Sequence, residues 1–301
     1  MVFFFPFFWF PTFYGQATTN LCLYQVVYGD GSFTEGDFAT EALSFKGTTV
    51  QNVALGCGND NEGLFAGAAG LFGLGDGSLS FISQLSTGPP QYPKIFSYCL
   101  LDRDRLGLST LTFGGFPRAI RGARTEFAPL LINHDYPTFY YAPVTGISVG
   151  GVLLTSIPSS AFHMDTTPGP TNGGGVIIDS GTSVSRLNDG AYMPLRAAFR
   201  AAAAARSYPL SSGVSLFDTC YDLSGRRSVT VPTVSFHFQG GATMDLPTAN
   251  YFVPVDSRGT YCLAFSSTSG LLSIIGNIQQ QSFRMVFDAQ SNRLGIAPNQ
   301  C

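Results

Sequence analysis

Gly175-Val176-Ile177-Ile178-Asp179-Ser180-Gly181-Thr182 is the stretch on which the reading of this 301-residue chain turns. Three successive β-branched residues read as a short strand buried on both faces. The strand runs directly into Asp179 and then into serine, glycine and threonine, residues that favour a tight turn. A buried strand that ends on a carboxylate reads as one feeding a catalytic loop. A capped turn of purely structural use has the same composition. Asp-Ser-Gly occurs here once, and Asp-Thr-Gly does not occur.

The rest of the chain supports a β reading. Hydrophobic residues are 45% and charged residues 12% of the chain, which suits a large core, in two ordinary domains or one bilobal β protein. Short Val/Ile/Phe runs between Gly and Asn/Asp turns give a mostly β expectation. A net charge of −3, with few and scattered Lys and Arg, removes the electrostatic case for nucleic acid or an anionic membrane. His134, His163 and His237 are far apart and no C-x-x-C pair occurs, so no metal is expected. Gly173-Gly174-Gly175 lacks the spacing of a phosphate loop, and no cofactor is expected. Gly146-Ile147-Ser148-Val149-Gly150 fits the G-x-S-x-G pattern but reads as strand and hairpin, not as the strand-to-helix turn that a nucleophile elbow needs.

From Leu21 onward the elements can be placed. Leu23 to Tyr28 alternates as a strand, Gly29-Asp30-Gly31 reads as a hairpin turn, and Phe33 to Phe45 returns as a strand pair. Val50 to Gly56 is a strand followed by a polar turn at Asn59-Asp60-Asn61. Ala68 to Gly75 is a small-residue apolar stretch expected as a core strand. A short helix begins after Ser78 or Ser80, and a longer alanine-rich helix runs to Ala205 with Asn188 or Asp189 as cap. Residues near Arg118 to Arg124 form a linker. The region from Val231 to Phe287 returns to strands. Leu71-Phe72-Gly73 and Ile274-Ile275-Gly276 form a weak internal echo of two related lobes.

Val2 to Phe13 is apolar, broken by Pro6 and Pro11, and too short for a membrane span. It reads either as a signal-peptide core, with Gly15 and Ala17 at a cleavage site, or as a divergent start. Six widely spaced cysteines fit long-range disulfides and an oxidising compartment; buried thiols in a reducing one are the alternative.

These motifs, in this order, resemble the pepsin-like aspartic peptidases, and most closely their plant nepenthesin-like branch. The resemblance rests on Tyr28-Gly29-Asp30-Gly31-Ser32, Leu55-Gly56-Cys57-Gly58, Ala69 to Gly75, Phe96-Ser97-Tyr98-Cys99, Ile177 to Thr182, Phe217 to Tyr221, Ile274 to Gln281 and Arg293 to Pro298. It implies a bilobal fold, with 1–20 a leader or divergent N-terminus, 21–125 a remnant of the N-terminal lobe and 126–301 the C-terminal lobe. It implies that Asp179 is the second catalytic aspartate, that Gly181 and Thr182 shape and brace its loop, and that Tyr28 is a flap tyrosine on a turn made mobile by Gly29 and Gly31. It implies disulfides Cys220–Cys262 and Cys99–Cys301, with Cys22 and Cys57 free or paired to each other. It implies a monomer of the secretory pathway or cell exterior, with a peptide or protein substrate or a protein partner in the cleft.

The family's first Asp loop has no counterpart here, so the first lobe is expected to be incomplete. Asp30 and Asp76 lack the Ser/Thr-Gly that shapes such a loop. A dyad works because two close carboxylates cannot both ionise, so one serves as base toward water and the other as acid toward the carbonyl. A lone Asp179 keeps neither the split nor the second role. The expectation is an aspartic endopeptidase by descent with impaired activity; the alternative is a non-catalytic binding or inhibitor-like protein on the same fold.

Overall fold

The computed structural model describes residues 12–15, 22–45, 47–63, 65, 68–88, 91–115, 124–165 and 173–301. Most of the apolar leader, including Pro6 and Pro11, the possible cleavage-site residue Ala17, and residues 118–123 of the expected linker lie outside the described residues. The chain forms two compact units, 1–94 and 95–301.

The first unit contains β1 (Thr12–Gly15), β2 (Cys22–Val27), β3 (Phe33–Phe45), β4 (Thr48–Glu62) and α1 (Phe81–Thr87). Its strands form one antiparallel sheet in sequence order. Phe33 to Phe45 is a single strand, not a pair. The polar run Asn59-Asp60-Asn61 is not a turn: β4 continues through it to Glu62. The reason is that its polar side chains find cross-strand partners, with Thr34 Oγ1 donating to Asn61 Oδ1 at 2.6 Å and Asn59 Nδ2 donating to Asp37 Oδ2 at 3.1 Å. Residues 68–75 are likewise not a strand; they run as irregular chain, with the Gly73 carbonyl accepting from Phe81 N at 3.0 Å. Ser80 caps α1 by accepting from Ser83 N.

The second unit begins with β5 (Ile95–Cys99), β6 (Thr110–Phe113), β7 (Glu126–Pro129), β8 (Val144–Val149) and β9 (Val152–Leu153). It continues with β10 (Val176–Ile178), β11 (Ser185–Asn188), α2 (Asp189–Ala204), β12 (Leu210–Ser211), β13 (Cys220–Asp222) and β14 (Val234–Phe238). Then come β15 (Thr243–Asp245), β16 (Phe252–Pro254), β17 (Thr260–Leu263) and β18 (Phe265–Thr268). The chain closes with β19 (Ser273–Ile275), α3 (Asn277–Gln280), β20 (Phe283–Asp288) and β21 (Arg293–Pro298). Four sheets result, ordered β10-β19-β11-β18, β12-β13-β17-β16, β15-β14-β8-β9 and β6-β5-β20-β21-β7. β5 and β6, from the segment grouped by sequence with the first lobe, thus hydrogen-bond into a sheet with the last strands of the chain.

The expected caps and covalent links have clear physical form. Asn188 caps α2 by accepting from Ala191 N at 3.1 Å. Cys99 is bonded to Cys301 and Cys220 to Cys262. The first bond ties β5 to the C-terminus across 202 residues; the second joins facing positions of β13 and β17. Cys22 and Cys57 are free and exposed.

Candidate active site

Asp179 leaves the end of β10 with its backbone N–H held by the Ile275 carbonyl at 3.1 Å. β10 pairs in parallel with β19, and β11 lies on the other side of β19. The segment from Asp179 to Val184 therefore passes across the end of β19. Ile177, Ile178, Ile274 and Ile275 are all buried, so the loop stands on a packed apolar floor. Gly276 ends β19 where the two segments meet: a Cβ there would lie 2.7 Å from the Thr182 carbonyl and 3.0 Å from that of Ser183. Only glycine admits that approach.

The carboxylate is held on both oxygens. Gly181 N donates to Oδ1 at 2.7 Å and Thr182 Oγ1 donates to Oδ2 at 2.6 Å. Asp179 is 1% exposed, and burial pushes its carboxyl up to about 7 against the downward pull of the Thr182 and Gly181 hydrogen bonds. Such a group exchanges a proton near neutrality, as a general acid or base requires.

A network that the sequence reading did not single out fixes the loop from behind. Asn277 N donates to the Thr182 carbonyl at 2.7 Å, Ile278 N to that of Ser183 at 3.1 Å, and Asn277 Nδ2 to that of Ser180 at 3.0 Å. Gln279 Oε1 accepts from Ser185 N and Oγ at 3.2 and 2.5 Å, while its Nε2 donates to the Asn250 and Ala264 carbonyls. Tyr98 donates to Gln280, whose Nε2 donates to the Ile275 carbonyl at 2.7 Å. The signal available in sequence was the run Gln279-Gln280-Gln281 after an apolar strand. Fully buried glutamines must be hydrogen-bonded, and these two are 0% exposed.

Tyr28, Gly29 and Gly31 share the β2–β3 turn of the first unit. Tyr28 N donates to the Ser32 carbonyl at 2.7 Å, Gly31 N to the Tyr28 carbonyl at 3.0 Å, and Gly31 takes φ +85°. Burial, with lesser help from Tyr24 and Asp30, raises the Tyr28 phenol to about 12. Its ring meets Phe65 edge-on at 6.2 Å. The turn opens on a cavity of about 510 Å³ lined by Tyr24, Val26, Tyr28, Gly56, Gly58 and Ala68 among others. Asp30 caps its own turn through Ser32 N, and Asp76 is paired with Lys94 at 2.6 Å. Ser148 lies within β8 and hydrogen-bonds His237 Nε2 at 2.6 Å across to β14, so the G-x-S-x-G stretch is strand and forms no elbow.

A buried Asp-Ser-Gly-Thr loop thus crosses an apolar Ile-Ile-Gly strand on a pepsin-like β fold. Residues 139–298 match the xylanase inhibitor C-terminal family, and residues 10–115 the xylanase inhibitor N-terminal family. The chain is 52% identical over 280 residues to aspartyl protease family protein 2 of Arabidopsis thaliana, covering 93% of this chain and 55% of that protein. It is 37% identical over 288 residues to aspartic proteinase nepenthesin-1 of Nepenthes gracilis, covering 95% and 62%. It is 30% identical over 322 residues to aspartyl protease 25 of Oryza sativa subsp. japonica, covering 97% and 69%. The crystal structure of edgp superposes with TM-score 0.69 at 18% identity, over 95% of this chain and 73% of that one, and shares the fold. The chain belongs to the plant family of pepsin-like aspartyl proteases and xylanase-inhibitor-type proteins. It spans just over half the length of the first curated relatives it matches.

Proposed function

We propose that this protein is an aspartic-type endopeptidase by family whose peptide-bond hydrolysis is impaired in this chain alone, because Asp179 is its single catalytic-loop aspartate. The Asp179 loop carries this reading: it is closed, braced and proton-exchanging near neutral pH, while the sequence holds no second Asp-Thr/Ser-Gly. Asp179 acts as the proton-exchanging carboxyl, Gly181 and Thr182 hold its oxygens, and Tyr28 with Gly29 and Gly31 forms the flap over a peptide substrate. Residues 21–125 are the remnant of the N-terminal peptidase lobe and 126–301 the C-terminal lobe. The two disulfides support a place in the secretory pathway or outside the cell.

The test is cleavage of a denatured protein by the purified chain from pH 3 to pH 7, with and without pepstatin. The expected result is turnover indistinguishable from that of Asp179→Asn. Pepstatin-sensitive cleavage that Asp179→Asn abolishes would overturn impairment and confirm the peptidase. A second reading, a non-catalytic inhibitor-like protein, draws support from the xylanase-inhibitor matches at both ends of the chain. Titration of the chain against a secreted xylanase separates it: loss of xylanase activity at a fixed stoichiometry supports inhibition, and no loss excludes it for that enzyme.

A further inference from the structure

The surface between α2 and β13 carries an arrangement that the Asp179 site does not use. Arg196 and Arg200 lie one turn apart on α2. Arg196 Nε contacts Asp218 Oδ2 at 3.1 Å and Thr219 Oγ1 at 3.3 Å. The other Asp218 oxygen is taken by Tyr192 at 2.5 Å and Thr219 at 2.7 Å. Among the described residues Arg200 acts on that carboxylate through its charge, without an ion pair. Its Nε is buried and has no hydrogen-bond partner among the described residues, and the same holds for the Tyr221 hydroxyl.

Tyr221 is 2% exposed, yet Arg200 and Arg196 are near enough for their charges to oppose the rise that burial imposes on its phenol. The positive strip continues: the Tyr221 ring is 6.5 Å from that of Tyr208, over which the Arg226 guanidinium sits at 4.9 Å. Arg196 and Arg200 thus face one carboxylate that Arg196 already holds. A buried guanidinium N–H and a buried phenol, both unpaired, cost roughly 1–3 kcal/mol each unless something accepts from them. A water could accept both hydrogen bonds, but it carries no charge to set against the two half-buried guanidiniums.

We infer that Arg200 and Tyr221, flanked by Arg196, form a binding site for an oxyanion, a carboxylate or a tetrahedral phosphate or sulfate group. The anion enters from the solvent side, where the Asp218 side chain is 46% and the Arg196 side chain 28% exposed. It accepts from the Arg200 guanidinium and the Tyr221 hydroxyl, and bidentate acceptance suits the planar fork of arginine.

Isothermal titration and thermal melting of the purified chain test this, with sodium acetate, phosphate and sulfate each compared with chloride at constant ionic strength. At least one oxyanion is expected to bind saturably and raise the melting temperature where chloride does not. Acetate alone identifies a carboxylate site; phosphate and sulfate identify a tetrahedral one. Arg200→Gln should weaken binding at least about tenfold, and Tyr221→Phe, which keeps the ring and its packing, severalfold. Equal responses to all four salts, or unchanged binding in Tyr221→Phe and Arg200→Gln, would overturn the site. Tyr221→Phe alone decides the matter should Arg200→Gln fail to fold.

Discussion

The sheet that carries Asp179 is buried down to its polar atoms, while the sheet that carries Tyr28 is half open. In the second unit β10 and β19 are buried along their whole length, and even Ser185, Ser273, Gln279 and Gln280 are 0% exposed. Among the described residues of the first unit, the buried hydrophobics are Tyr24, Val53, Leu74, Phe81, Ile82 and Leu85. The first sheet bears on a cavity of about 510 Å³ and carries two free thiols; the second unit is closed by two disulfides. The contrast separates two requirements of a catalytic carboxylate. A perturbed ionisation needs only local burial and a braced loop, which the second unit supplies alone. A reaction needs a second group and a covered substrate as well, and the thinly packed first sheet has little rigidity of its own.

The strongest way to break that contrast is pH. Folded Asp179 keeps its proton to about pH 7, whereas the ordinary carboxyl value is 3.8. Between those limits the folded state binds more protons than the unfolded one, so stability of the second unit falls as pH rises from about 4 to about 7. The loss approaches on the order of 4 kcal/mol as an upper bound. Asp222 and Asp256 are shifted the other way, so their stabilisation disappears only as pH falls below the 3.8 of an ordinary carboxyl. Asp179→Asn should flatten the dependence between pH 4 and 7. Denaturation melts across that range check it, and an unchanged slope would mean that Asp179 is not buried as described.

Next comes the brace. Gln279→Leu removes two bonds to Ser185 and two to the Asn250 and Ala264 carbonyls, stranding buried partners. A loss of about 3 kcal/mol from the second unit is expected. A loss under about 1 kcal/mol would show that the loop does not depend on α3.

A smaller effect should appear on the other side of the comparison. A Cβ at Gly36 would sit 2.0 Å from the Cys57 carbonyl oxygen, at the irregularity where β3 and β4 change register. Gly36→Ala should cost the first unit about 1–3 kcal/mol. Amide exchange of β3 and β4 should quicken while that of β10, β11 and β19 stays as it was. Equal quickening in both would mean that the two units unfold as one.

How much of this was legible in the sequence follows the same division. Around Asp179 the elements are short, apolar and punctuated, so β10, β19 and the Asn188 cap could be read from residue type alone. In the first unit the pattern misled. Asn59-Asp60-Asn61 has turn composition, but its side chains bond across strands, a tertiary effect that local propensity does not register. Ala68 to Gly75 has the composition of a core strand but finds no partner strand. Gln279 and Gln280 carry no local sign of burial, because glutamine is usually exposed; their role depends on carbonyls at Asn250, Ala264 and Ile275, of which the first two lie far outside any local window.

The smallest expected effect concerns Cys22 and Cys57, for which the sequence left open a bond between the two. Cys22 is opposite Phe38, which is opposite Gly56; Leu23 is opposite Asp37, which is opposite Cys57. The two cysteines therefore sit in successive rows, on strands separated by β3. Successive rows point to opposite faces of a sheet. Two strand spacings come to about 9–10 Å, beyond the roughly 7 Å that a disulfide can bridge between Cα atoms. Two thiols per chain should react with an aromatic disulfide reagent without denaturant, and the other four cysteines should not. Cys22→Ser and Cys57→Ser should each remove one reactive thiol and change stability by no more than about 0.5 kcal/mol. A Cys22–Cys57 peptide in a non-reducing digest would require β3 to leave its place between β2 and β4, and with it the register on which the Tyr28 turn is built.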